Sequence, residues 1–270
     1  ERYESKGVSK FHLGAVKLIV DGSPQGRTAW LREPYRTKTN GIRDNGSAAL
    51  ELERLQELVL GYHRAGRQLA LHGNGSAAID AIITAVHLAQ LEFPNPDVKH
   101  ILVHGQTVQA DQLRSLAELD MSVTFFPSHT FYWGDWYRQR LLGEKRAAYL
   151  SPLASARDAG VRFSLNTDAP VTPIDQLQVA WSAHRRTTFS GAVLGSAETI
   201  SNLEAMRAMT NDSEWLNGLD ADRGSIEVGK LADFVVISDD PTAVDDIRQL
   251  HIETVYIGAK EVYRNKRTAN

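Results

Sequence analysis

QLALHGNGSAAIDAIITAVHLAQLEFPNPDVKHILVHGQ, residues 68–106, decides how the rest of the chain is read. A short apolar run, QLALHG (68–73), has the length of a strand. It gives way to a serine at a helix-cap position and then to the helical stretch SAAIDAIITAVHLAQ (76–90). PNPD at 94–97 breaks the chain before a second strand, HILVHG (100–105). Strand, helix, strand within one such stretch is a βαβ unit, and the crossover makes its two strands parallel.

The pattern repeats on both sides. Upstream, AVKLIVDG (15–22) is a strand ending in a turn, followed by a polar loop through about residue 47. From Ala48 to Arg64, Leu52, Leu55, Val59 and Tyr62 recur at spacings of three and four, with Gly66 placed as a C-cap. Downstream come a helix at ADQLRSLAEL (110–119), a strand at SVTFFP (122–127) and an aromatic-rich loop at HTFYWGDWYRQR (129–140). SPLASARDAG (151–160) leads into a fifth strand, VRFSLNTD (161–168), and helical patterns follow around 173–187 and 201–210. Five consecutive units without a dinucleotide fingerprint favour part of a TIM-type (β/α)8 barrel over a doubly wound sheet. Neither GxGxxG nor GxxxxGK[ST] occurs in the sequence. The character changes after about residue 222, where GSIEVGKLADFVVISDD and TVYIGAKEVY read as short strands with turns. The expected organisation is α/β, with a partial barrel over 1–222 and a small C-terminal β module over 223–270.

Composition narrows the function classes. Thirty basic and 33 acidic residues give a formal charge of −3, which offers no electrostatic reason to expect nucleic acid or an anionic membrane as partner. No apolar run approaches the roughly eighteen residues of a membrane span. The chain has no cysteine, which excludes disulfides, thiolate zinc sites, iron–sulfur clusters and a cysteine nucleophile. A cytoplasmic location is the plain expectation, with an export signal upstream left open. The chain opens at ERYESKG rather than at a methionine and reads as cut from something longer.

Barrel active sites are built at the C-terminal ends of the strands. Lys17 lies on the first strand; the second ends at His72, the third at His104, the fourth at Pro127–Ser128–His129 and the fifth at Asp168. Each has a plainer reading on its own. A strand-end histidine is ordinarily a hydrogen-bonded core or rim residue, Lys17 a salt-bridged lysine, and Asp168 a helix cap. Joint placement around one barrel mouth is what favours a zinc-like ion, since neutral imidazoles and a carboxylate are its ligands. Lysine joins such a set only as a carbamate, whose two oxygens can bridge two ions. His12, His63, His87, His100, His184 and His251 lie at helical or loop positions and are not expected to touch a metal. A Schiff base at Lys17 would leave the histidines and Asp168 without a purpose.

VKLIVDGS (16–23), LALHGNGSAAID (69–80), HILVHGQ (100–106), TFFPSH (124–129) and NTDAPVTPIDQL (166–177) resemble consecutive motifs of the amidohydrolase superfamily. More narrowly, they resemble its amidohydrolase-3 branch, which includes N-substituted formamide deformylase-like members. GSIEVGKLADFVVISDDP (224–241) and VYIGAKEVY (255–263) resemble the superfamily's C-terminal signature, part of a small β-sandwich. The resemblance covers essentially the whole chain and implies strands four to eight of the barrel.

It also implies roles. Lys17 matches a lysine that is carboxylated in many members and bridges two metals; His72 and His104 match histidine ligands. Asp168 matches an aspartate that binds metal and acts as general base on the attacking hydroxide. One or two divalent ions, zinc in the first place, are the implied cofactor. His129 is placed to hydrogen-bond the scissile carbonyl oxygen. Tyr132, Trp133 and Trp136 are substrate-loop candidates, and Asp135 and Arg185 rim candidates. The implied reaction is hydrolysis of a C–N bond in a small amide, N-substituted formamide or cyclic amide.

The departures carry equal weight. Val103 stands where the family usually has a glutamate, and Gly75–Ser76 where it has glycine–aspartate; both remove carboxylates that orient metal ligands. No HxH, the superfamily's first-strand motif, occurs anywhere in the 270 residues. The expectation is a C-terminal half whose open sheet edges associate with the missing N-terminal half or with a second copy. A non-catalytic, metabolite-binding member akin to exoenzyme regulators, or an inactive fragment, are the competing readings.

Overall fold

The computed structural model describes residues 13–266; His12 lies outside them. Strands β1 (Val16–Ile19), β2 (Leu69–Gly73), β3 (Ile101–His104), β4 (Ser122–Phe125) and β5 (Phe163–Leu165) form one sheet in chain order. All four neighbouring pairs are parallel. A doubly wound sheet would show a reversal of strand order. None occurs in these five strands, so each strand delivers its C-terminal end beside the last.

Between them run α1 (Leu52–Arg64), α2 (Ser76–Glu92), α3 (Ala110–Glu118), α4 (Ser128–Trp136), α5 (Glu144–Ala148) and α6 (Leu153–Asp158). α7 (Gln176–Arg185), α8 (Asn202–Met209) and α9 (Asn211–Leu216) follow β5. Leu69, Leu71, Leu102, Val123, Phe125, Phe163 and Leu165 point to the helix side. There they share one buried core with Leu55 and Val59 of α1, Ile79, Ile82 and Val86 of α2, and Leu113 and Leu116 of α3. Strand alternation places the opposite set on the other face: Lys17, Ala70, His72, Val103, Thr124 and Ser164. That face is mostly half-open, whereas the helix side is apolar and closed.

α1 begins at Leu52, later than the periodicity from Ala48 suggests, because Ala48 pairs with Asp21 in an isolated antiparallel bridge. The larger correction concerns 129–140. The stretch expected to be an aromatic loop is α4, continued by a π-helical turn at Tyr137–Leu141. Tertiary packing overrides the weak helix propensity of its aromatics and glycine. Phe131 meets Trp181 of α7 edge-on at 5.5 Å between ring centroids. A Cβ at Gly134 would stand 2.8 Å from Thr188 Cγ2, so the glycine lets the helix approach the 187–193 turn.

β6 (Phe234–Ile237), β7 (Ile252–Ile257) and β8 (Lys260–Arg264) form a separate antiparallel sheet. Gly258 and Ala259, both at positive φ (57° and 61°), make the two-residue turn joining β7 to β8. Among the described residues no helix is long and apolar enough to cross a membrane.

Candidate active site

The strand register brings His72 and His104 together by an irregularity. Gly73, His104 and Phe125 are register partners, so regular alternation would turn His104 toward the helices. Instead His104 adopts φ +74° and Gly105 follows at +54°. The histidine ring lies against that of His72, with centroids 4.7 Å apart and planes at 81°. Left-handed backbone at a non-glycine residue is strained and recurs at functional sites. Asp168, just past β5, is left-handed too at φ +49°, and its Oδ2 lies 3.9 Å from His104 Nε2.

The two imidazoles present different nitrogens. With its proton on Nε2, His72 donates to the Gly22 carbonyl at 3.3 Å beside Asn74 Nδ2, which leaves the Nδ1 lone pair. His104 Nδ1 is enclosed without a hydrogen-bond partner in the protein, which leaves Nε2, the atom facing Asp168. Burial pushes His104 down to about 3, helped by His72 and Lys17. Burial also lowers His72, with Lys17 adding to it and the Gly22 carbonyl and Asp168 opposing. Asp168 is raised by burial, against the pull of Lys17 and His72. Lys17, His72, His104 and Asp168 therefore share one electrostatic environment, and both histidines are neutral near pH 7.

His129 sits at the start of α4, 4% exposed, its ring 4.1 Å from Phe126, 5.4 Å from Trp133 and 6.2 Å from Tyr137. Complete burial, then His104, hold it well below the usual imidazole range. Trp133 thus touches His129 directly. Tyr132 packs on Phe131 and Trp133, and Trp136 is 41% exposed. Arg185 is not directed at these groups; its guanidinium donates to the Asp245 carbonyl. Asp135 accepts from Thr188 Oγ1 and from the Ser190 N–H and hydroxyl, pinning α4 to the 187–193 turn.

Sequence reasoning passed over Asp21 and Asn74. Asp21 is fully buried and accepts backbone N–H groups from Trp30 (2.8 Å), Asn74 (2.9 Å) and Gly75 (2.8 Å). Burial pushes its carboxyl up to about 6, while those three donors pull it down. Asn74 Nδ2 donates to the Gly22 carbonyl (2.9 Å) as well as approaching His72. Asp21 therefore fixes the turn that carries Asn74, and Asn74 and His72 converge on the Gly22 carbonyl. The available signal was an aspartate directly after an apolar strand in LIVDG. Gly75, where a Cβ would stand 2.0 Å from the Trp30 carbonyl oxygen, belongs to the same clamp. Ser76 uses its hydroxyl to accept the Arg32 N–H (3.0 Å).

These residues fit a divalent cation in chemistry as a partial set: two neutral imidazoles, each with one nitrogen left over, and a carboxylate beside one of them. Among the described residues, no three His, Asp or Glu side chains close around one point.

Known proteins match this chain over most of its length. The chain is 28% identical over 260 residues to the N-substituted formamide deformylase of Arthrobacter pascens, covering 95% of this chain and 46% of that protein. It is 27% identical over 271 residues to YtcJ of Bacillus subtilis, covering 97% of this chain and 49% of YtcJ. A solved metal-dependent hydrolase of Pyrococcus furiosus superposes with a TM-score of 0.71 at 26% identity, over 84% of this chain and 44% of the other. The chain thus spans about half the length of the relatives it matches. The profile of the amidohydrolase family extends across both sheets, from residue 1 to residue 263, and the chain belongs to that family.

Proposed function

We propose that this chain supplies the β1–β5 part of a metal-dependent hydrolase site that cleaves a C–N bond in a small amide, N-substituted formamide or cyclic amide. The observation that carries this reading is His104. It is strained, neutral and in ring contact with His72, and its Nε2 faces Asp168 at 3.9 Å. His72 through Nδ1 and His104 through Nε2 would hold the ion, with Asp168 and a carboxylated Lys17 completing the set. One zinc ion, or two, bound there would act as a Lewis acid on a carbonyl oxygen and lower the pKa of water to about 7.

The chain's own residues do the rest. Asp168 accepts the proton of the attacking water on a carboxylate oxygen and returns it to the leaving nitrogen. His129, neutral and fixed by Phe126 and Trp133, hydrogen-bonds the substrate carbonyl. Trp133, Tyr132 and Trp136 line the side on which an apolar N-substituent packs.

Elemental mass spectrometry of the purified 270-residue chain tests the reading. About one zinc-like ion per chain is expected, lost in the His72→Ala and His104→Ala variants. No stoichiometric metal, or a metal retained in both variants, refutes it.

A further inference from the structure

A cavity of about 690 Å³ lies between the loop after β1, the first turns of α2 and α3, α5 and the 3₁₀ turn at Ser196–Glu198. None of Lys17, His72, His104, His129 and Asp168 lines it. Thr107 is the nearest link to them: it lines the cavity, and its hydroxyl donates to the Asn74 carbonyl at 2.8 Å. That volume suits a small organic molecule. Leu31, Ala110, Leu142, Ala148 and Ala197 supply apolar wall.

The charged groups on the wall differ in what already holds them. Arg32 is paired with Asp80 through Nε (2.7 Å) and with Asp111 through Nη2 (2.8 Å). Arg146 turns its three donor nitrogens to the carbonyls of Leu142 (2.9 Å), Glu33 (3.2 Å) and Pro34 (2.9 Å). Lys145 is exposed at the mouth, the ordinary state of a lysine.

Glu198 is the exception. It is 6% exposed, and its carboxylate accepts from the Ser155 hydroxyl (2.7 Å) and the Ser155 N–H (2.9 Å). Among the described residues no Lys, Arg or His nitrogen pairs with it. The charge of Arg186 acts on it from farther off, but that guanidinium directs its donors to the carbonyls of Leu194 (2.8 Å), Ser151 (3.1 Å), Leu150 (2.6 Å) and Ala148 (3.5 Å). A carboxylate offers about four acceptor positions, so roughly two remain. Buried carboxylates are ordinarily paired with a cation. Tyr149 lines the same cavity, half-buried. Burial raises its phenol, as do Glu198 and Asp111, against the pull of Ser155, so it stays a neutral hydroxyl.

A carboxylate ligand would meet Glu198 as a like charge, and an alcohol would leave that charge unbalanced. A primary ammonium brings three donors together with the positive charge. We propose that this cavity binds a small primary ammonium with a short apolar body, its charge held by Glu198 and Tyr149 and its body by the apolar wall. The site goes beyond the hydrolytic reading and stands without it; only the identification of its occupant as the amine released by C–N cleavage rests on that reading.

The test titrates the 270-residue chain, in EDTA near pH 7, with n-butylammonium, n-butanol and butyrate separately, with saturation-transfer NMR as the readout. Saturable binding of n-butylammonium is expected, at least about tenfold tighter than either of the others. Glu198→Gln keeps the shape and removes the charge, and should weaken n-butylammonium about tenfold. Ala197→Phe fills the cavity from an exposed turn and should abolish saturable binding. Circular dichroism checks folding, and Ala197→Phe decides if Glu198→Gln unfolds. No saturable binding to the native chain, butanol or butyrate binding as tightly as n-butylammonium, or unchanged affinity in the folded variants overturns the proposal. Preferred binding of butyrate that Lys145→Glu removes overturns it too, and makes the cavity an anion site. Because EDTA removes any metal, a chain that takes up no zinc but passes this titration sinks the hydrolytic reading and leaves the ammonium site standing.

Discussion

His63 and His100 form a hydrogen-bonded relay whose directions are fixed at both ends, and this makes an acid-stability prediction. His100 Nδ1 accepts the Leu69 N–H at 3.1 Å, so its proton is on Nε2, which donates to His63 Nδ1 at 3.0 Å. His63 Nε2 then donates to the Phe93 carbonyl at 2.9 Å. The relay works only with both rings neutral. Burial, with His63 adding to it, lowers His100 from 6.5 to about 4. The folded pKa is depressed below the unfolded one, so the unfolded chain binds more protons between these values. Stability from this group is therefore complete above pH 6.5 and declines as pH falls toward 4. Linkage gives a loss of about 2 kcal/mol between pH 7 and pH 5, rising to about 3 kcal/mol below pH 4.

His100→Asn isolates the effect, because the asparagine oxygen retains the Leu69 bond while the donor to His63 is lost. At pH 7 the variant should be about 1–3 kcal/mol less stable, the cost of stranding a buried acceptor. Urea unfolding of both proteins at pH 7 and pH 5 provides the assay. The gap between them should shrink by about 2 kcal/mol at the lower pH, because only the native protein carries the depressed His100. Two curves that fall in parallel, with the gap constant to about 0.5 kcal/mol, would refute the reasoning.

Gly75→Ala should cost at least about 2 kcal/mol in the same assay, because its Cβ would stand 2.0 Å from a backbone oxygen that cannot yield. An unchanged midpoint would mean that the Asp21 clamp is slack. Asp168→Asn should leave the urea midpoint within about 0.5 kcal/mol while abolishing any amide turnover found for the native chain. Near-native rates in that variant would remove Asp168 from the proton path.

The parallel sheet was legible because β2, α2 and β3 each carry their own local signal: apolar runs of strand length separated by a helical period and a PNPD break. Topology puts the ends that carry Lys17, His72, His104 and Asp168 side by side, since parallel strands in chain order bring their C-terminal ends together, but His104 meets His72 only through its left-handed backbone, which no periodicity reveals. The missed features depend on contacts distant in sequence. α4 is helical because Phe131 and Gly134 pack against Trp181 and Thr188, about fifty residues onward. Asp21 matters through N–H groups of Trp30, Asn74 and Gly75, which no periodicity reveals. Arg185 looked available as a rim cation until the fold gave it the Asp245 carbonyl.

The two ends of β3 separate a structural histidine from a functional one. His100, just before the strand, has both nitrogens hydrogen-bonded. His104, at its end, holds a left-handed φ of +74° and keeps its buried Nδ1 without a partner. The first end satisfies local rules and the second breaks two of them. Asparagine adopts left-handed backbone more readily than histidine and would relieve that strain. The same change, His→Asn, should therefore have opposite consequences four residues apart: His100→Asn destabilises, whereas His104→Asn raises stability by about 0.5–1 kcal/mol, or roughly 2–3 °C in Tm. His104→Asn should also abolish metal uptake, because the site loses an imidazole. A thermal melt beside elemental analysis checks both halves. If His104→Asn instead lowers stability by more than about 1 kcal/mol, His104 is holding the fold together, and its strained backbone is not evidence of a site.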